Sequence, residues 1–295
     1  MDDIFTNLRN LFRRGTVLTR LIYLNVGLFL LIRLVEVVCM LFNVRIDGML
    51  QYLAFPASPE AFVWQPWTIV TYMFVHDDVW HILFNMLWLY WFGKMFLDYL
   101  SERQLLGVYL LGGIAGALVF MAAYNVFPYF RAVAPFSTLM GASASVMAIV
   151  FSIALIWKDG YVNLFFFGRI KLLYLALFTL LIDLLSITSN NAGGHWSHLG
   201  GTLFGVLFAL RYNRAGKDLT RPLNRLLDWL VNLGKRRPKM RVSYRNTKRA
   251  SEYEYNARKK QQEDAINAIL EKLKRSGYES LSSDEKKQLF DASKK

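Results

Sequence analysis

The chain holds 295 residues, 54% of them hydrophobic and 15% aromatic, with a formal net charge of +13 and a mean hydropathy of +0.25. That balance is too apolar for an ordinary water-soluble domain and too charged for a chain embedded in lipid throughout. It leaves a membrane core with a basic appendage, and the single cysteine, Cys39, excludes an internal disulfide framework.

The N-terminal stretch 1–17 carries Arg9, Arg13 and Arg14 ahead of the first apolar run, 18–42. This run exceeds the ~20 residues that cross a bilayer. It lacks a short apolar region ending in a small-residue cleavage site, so it reads as a retained helix and not a signal peptide. Within it Arg33 and Glu36 stand three apart, and they are expected to pair or to snorkel. Five further apolar runs follow at 79–99, 104–123, 139–157, 169–188 and 197–212, several of them carrying Gly, Ser or a charge. The reading is all-α: a polytopic membrane protein with a six-helix bundle over 18–212.

Lys94 and Arg103 flank the second connection, Lys158, Arg169 and Lys171 the fourth, and both tails are basic, whereas the 43–78, 124–138 and 189–196 segments hold only Arg45 and Arg131. The excess of positive charge on alternate loops places both termini in the cytoplasm. An even number of spans requires the same, and an inner bacterial membrane is the expected location.

Residues 211–260 contain 16 Lys/Arg against 4 Asp/Glu. Within the segment 213–260, Thr220 and Pro222 open a helix that carries Leu223, Leu226, Leu227 and Leu230 along one face. An amphipathic helix on the inner membrane surface is expected there, followed by a polybasic linker attracted to anionic lipid. Nucleic-acid binding is the competing reading of such a run and is not expected, since the juxtamembrane position already accounts for the charge. The last segment, 261–295, has balanced charge and reads as a small helical hairpin. Ile266, Ile269, Leu270 and Leu273 recur at helical spacing, Gly277 stops the first helix, and Ser282 with Glu285 forms a capping box for the second.

Polar side chains within apolar runs need a reason, because an ionisable group at a span's centre costs about 2.5–3.5 kcal/mol on insertion scales. In "WHILFNMLW", His81 and Asn85 are four apart and share a helix face; tying helices together by hydrogen bonds is the plain alternative. The last run begins "GGHWSHLGGTLFG", in which His195 and His198 precede Gly200, Gly201 and Gly205. Glycines four apart admit a second helix backbone to backbone. The fourth run supplies small residues to match, in "LMGASASVMAIVF". Close packing of these two helices would bring a serine hydroxyl to an imidazole, which is what a weak nucleophile needs for activation. An unpaired N–H in the first turn of the fourth helix, with His81 and Asn85 if their face points inward, would then supply donors for an oxyanion.

Taken together, "HILFN", "GASA" and "HLGGTLFG" resemble the rhomboid intramembrane serine proteases, over roughly residues 15–212 and with the motifs in the same order. The resemblance implies Ser143 as nucleophile and His198 as general base, a dyad with no required acid, and His81, Asn85 and the Ser143 N–H as the oxyanion hole. It selects Ser143 over Ser145, which lies roughly 200° further around the helix and cannot face the same imidazole. His198 matches the motif beside the glycines; His195 reads as an entrance residue nearer the loop. The chain departs from the family pattern at Ala144, where Gly is common, at Met147, where an aromatic often packs on the base, and at Thr68, where many members have Arg after Trp67. Asp183 is weighed as an acid that would orient His198 and set aside, because fifteen residues and the loop "TSNNAGG" intervene. His76 with Asp77 and Asp78 is a weak metal pattern, and neither metal nor cofactor is expected.

The implied activity is cleavage of single-span membrane protein substrates near the outer leaflet, through an acyl-enzyme. The alternatives are a catalytically inactive rhomboid-like protein that binds membrane clients, which would typically lack the serine or histidine, and a transporter, which predicts internal repeats that the sequence does not display.

Overall fold

A computed structural model describes Phe12 and residues 15–44, 48–164, 168–233 and 247–293. Arg9, Arg13, Arg14, Arg45 and most of the polybasic linker lie outside the described residues. The chain divides into two compact units, Met1–Gly234 and Lys235–Lys295.

Among the described residues six longer helices build the first unit: α1 (Val17–Leu41), α2 (Val79–Tyr99), α3 (Glu102–Val126), α4 (Ser143–Ile156), α5 (Leu172–Leu185) and α6 (Ala192–Ala215). Their starts follow from capping side chains. The Thr16 hydroxyl accepts from the Thr19 N–H, and the Asp78 carboxylate from the His81 N–H at 2.9 Å. Ser101 and Gln104 cap each other reciprocally at the head of α3. α6 ends at Gly216, whose φ of +59° is a conformation glycine adopts without strain. α1 and α3 are long and apolar enough to cross a membrane, and α4 and α5 are shorter apolar helices.

α4 is the central rod. Every residue from Ala144 to Ala154 is buried, which suits a helix apolar on all sides. It packs most extensively against α6, then against α3 and α2. Small residues make the close approach possible. A Cβ on Gly201 would collide with the Ala144 carbonyl oxygen, and one on Gly205 would stand 2.5 Å from that of Ala148. The methyl of Ala144 has room because Gly116 of α3 lies opposite, where a Cβ would come within 2.5 Å of it. Large apolar side chains cover the outside instead, among them Leu30, Leu31 and Leu34 of α1 and Tyr174, Phe178 and Leu185 of α5. Such outward faces are incompatible with water and suited to lipid. Arg33 pairs with Glu36 at 2.6 Å within α1, so the two charges largely offset one another.

The connections contain more structure than the all-α expectation allowed. β1 (Phe55–Pro56) pairs antiparallel with β2 (Thr138–Leu139), and β3 (Tyr161–Leu164) with β4 (Gly168–Lys171). Short helices Pro59–Trp64, Thr68–Thr71 and Pro128–Arg131 fill the loops before α2 and α4. Where the family pattern has Arg after Trp67, the Thr68 hydroxyl donates to the Gln65 carbonyl at 2.6 Å, and the Trp67 indole N–H to the Tyr52 carbonyl at 2.8 Å. These bonds tie the loop down without a cation.

After α6, helix α7 (Arg221–Asn232) starts at Thr220 with proline in its first turn. It docks on the head of α3. Arg103 pairs with Asp228 at 2.9 Å, Asn224 donates to the Arg103 carbonyl at 3.1 Å, and the buried Thr220 side chain fills the space beside Gly107. Leu226, Trp229 and Leu230 remain exposed.

The second unit is a hairpin of α8 (Thr247–Ser276) and α9 (Ser283–Ser293). Its first helix opens inside the stretch read as linker. Gly277, at φ +75°, terminates it, and Ser282 and Glu285 cap α9 mutually, the Ser282 N–H donating at 2.7 Å and the Glu285 N–H at 3.3 Å. Ile269 and Leu281 are buried between the helices, whereas Leu270 faces solvent. Lys272 reaches Glu285 at 2.9 Å.

Candidate active site

The start of α4 is fixed by its approach turn. Gly141 adopts φ +116°, a region closed to most side chains, and its N–H donates to the Tyr72 carbonyl at 2.9 Å. The next N–H, of Ala142, points at Nε2 of the buried His76, 3.4 Å away. Ser143 follows as the first helical residue. First-turn N–H groups have no acceptor within their own helix, and among the described residues none accepts from the Ser143 N–H. Gly141 also brings the chain against His81, since a Cβ there would meet the imidazole Nε2 at 2.6 Å. His81 and the N–H-bearing head of α4 are therefore neighbours.

Ser143, His198, His81 and Asn85 all line one cavity of about 860 Å3, together with Met147, Asp183 and Tyr124. Trp80, Phe84 and Trp88 of α2 and Thr179 and Ile182 of α5 line it as well, as do Thr138 and Leu139 of β2 and Asn190 and Asn191 before α6. Among the described residues the Ser143 hydroxyl makes no hydrogen bond, to His198 or to any other group. Such bonds are often long before substrate arrives. Asn85 spends one amide N–H on the His81 carbonyl of its own helix, at 3.0 Å, and has a second to offer. Ser145 is fully buried with no partner for its hydroxyl, beside Gly113 of α3. That placement agrees with its reading as a packing residue.

The neighbourhood of His198 differs from the sequence reading. Asp183 of α5, 5% exposed, takes both His195 Nδ1 and His198 Nδ1 on the same carboxylate oxygen, each at 2.8 Å. α6 begins at Ala192, so His195 sits inside the helix on the face it shares with His198, not in the loop before it. The fifteen-residue separation is taken up by the α5–α6 turn, which folds the two helices back on each other. A carboxylate near the end of an apolar helix, with two histidines a turn apart beyond the next loop, was the signal available for finding this cluster.

His76 is also placed differently from the weak metal pattern. It is buried beneath α4, and it is His81 whose ring nitrogen lies within 4.8 Å of the Asp77 and Asp78 carboxylates. The His76 and His81 rings meet edge to face with centroids 5.1 Å apart.

An apolar-faced helical bundle that gathers a hydroxyl, imidazoles and a carboxylate around one cavity is the architecture of an integral membrane protein. A family model described as the Rhomboid domain matches residues 63–214, and a family of unknown function, DUF6576, matches residues 251–295. RHOMBOID-like protein 12, mitochondrial, from Arabidopsis thaliana is 30% identical over 146 residues, which cover 45% of this chain and 43% of that protein. The chain thus spans less than half the length of that curated relative. It belongs to the rhomboid family.

Proposed function

We propose that the protein is an intramembrane serine endopeptidase whose six longer helices cross the membrane, with both termini cytoplasmic, in a bacterial inner membrane. The observation that carries this reading is the convergence of Ser143, His198, His81 and Asn85, from three helices, on one cavity. Ser143 Oγ attacks the scissile carbonyl as its proton passes to His198 Nε2. The oxyanion is stabilised by the Ser143 N–H, His81 and Asn85. His198 then returns the proton to the leaving amine, and the acyl-enzyme is hydrolysed by a water that His198 deprotonates. Polar groups at Thr138, Asn190 and Asn191 suit both the entry of water and the backbone of a locally unwound substrate strand.

The substrates are single-span membrane proteins, and the exposed apolar face of α7 with the basic segment after it takes anionic lipid. Ser143→Ala is expected to abolish cleavage of a model single-span substrate with thermal stability unchanged. Undiminished cleavage by that variant refutes the reading. The second reading is an inactive rhomboid-like protein that binds membrane clients. It predicts that the wild-type chain leaves the substrate uncut but copurifies with it.

A further inference from the structure

The proposed base has a neighbour that its role does not require. Asp183 offers one oxygen, Oδ1, to two imidazole nitrogens at 2.8 Å each. These separations are those of N–H···O⁻ hydrogen bonds. Asp183, His195 and His198 each offer one atom within 4.8 Å of the others, the grouping a metal site also needs, while their 2.8 Å separations are shorter than the roughly 3.3 Å between ligands of a tetrahedral ion. A carboxylate has no proton of its own to give, hence both Nδ1 atoms carry hydrogen and donate. For His198 this fixes the tautomer. In the neutral imidazole Nε2 is then the nitrogen with a lone pair, and no hydrogen bond reaches it among the described residues.

A free imidazole exchanges between two tautomers and rotates about its side-chain bonds, and only one of these arrangements can accept a proton at Nε2 from a hydroxyl. A buried anion is costly to desolvate unless donors satisfy it. Here His195 supplies a second donor to the same oxygen, which makes the charge tolerable and leaves the bond to His198 in place. His195, one helical turn before His198, thereby acts on the base through the carboxylate.

We propose that Asp183, steadied by His195, is a positioning residue that holds His198 in the Nδ1–H tautomer with Nε2 free for Ser143. This rests on the protease reading and goes beyond the dyad it describes. Asp183 bonds to the imidazole and makes no hydrogen bond to the Ser143 hydroxyl, so it acts through the imidazole.

The test uses the full-length protein with a single-span substrate and a fluorophosphonate probe. Asp183→Asn keeps size and shape but loses the charge. It is expected to lower kcat by roughly 10²- to 10⁴-fold with KM changed by less than about threefold. The rate constant for labelling of Ser143 should fall in step, with the final labelled fraction unchanged. A tie between helices, and nothing more, would lower the labelled fraction and the Tm but leave the rate constant alone; that result overturns the proposal. A second measurement needs no variant at position 183. Nitrogen-15 NMR of histidine-labelled wild-type protein, assigned by single substitution of the chain's four histidines, should show His198 protonated at Nδ1. A predominant Nε2–H form overturns the proposal. The two readings fail separately: cleavage by Ser143→Ala removes the protease, whereas an inactive Ser143→Ala beside an Asp183→Asn of near wild-type kcat removes only the role of Asp183.

Discussion

His76 makes the clearest demand on its surroundings of any single residue. It is 1% exposed, its Nε2 lies 3.4 Å from the Ala142 N–H, and its Nδ1 is without a partner. Burial first, and the adjacent His81 second, pull its imidazole from 6.5 down to about 3. The folded protein therefore keeps it neutral while the unfolded chain takes up a proton as pH drops below about 6.5, so stability present above that pH is lost as the pH falls toward about 3. The Tm in detergent should decline between about pH 6.5 and pH 5, above the range where carboxylates titrate, and His76→Gln should flatten that decline. An unchanged slope in the variant would remove His76 as its source. His81 and Asn85 could be singled out in the sequence because their spacing fits one helix face, whereas the choice of Ser143 over Ser145 and of His198 over His195 came from the rhomboid resemblance. Asp183 was discounted because chain separation says nothing about which loops fold back, and His195 because a loop of small polar residues hides where the next helix begins.

Between helices, the decisive contact is the glycine face of α6 on α4. A methyl at position 201 or 205 meets backbone oxygen on α4, an atom that cannot rotate away. Overpacking of this kind costs about 1–3 kcal/mol. Gly201→Ala and Gly205→Ala should each lower the Tm, and Gly201→Ala should also slow fluorophosphonate labelling, because it displaces the helix start that carries Ser143. Gly27→Ala, where nothing lies within 4 Å of the added methyl, is the control and should change neither. Equal behaviour of all three would deny the seam its importance. This pairing was legible from "GASASVMA" and "HLGGTLFG", since small residues at helical spacing leave few other uses in a membrane. The strand pairs were not. β1 and β2 are two residues each, too short for alternation to register, and β1 ends in proline.

For the whole molecule, the division at Gly234 separates a lipid-adapted bundle from a hairpin with its own buried pair, Ile269 and Leu281. Removing residues 235–295 is expected to leave the Tm unchanged and the labelling rate within about twofold of that of the intact protein, as additivity of independent parts requires; a collapse of either would make the second unit part of what holds the first together. The membrane core was legible in composition and apolar run length. The hairpin's longer first helix was not, because the sequence ahead of residue 261 is rich in charge and holds no recurring apolar spacing. The claim on which everything rests is that Ser143 is activated within the cavity, and the most direct measurement is mass-spectrometric mapping of a fluorophosphonate adduct on the wild-type protein, with His198→Ala alongside. The account predicts a single adduct on Ser143 that is lost in His198→Ala. No adduct on the wild type, or one on Ser143 that forms as fast without His198, would contradict it.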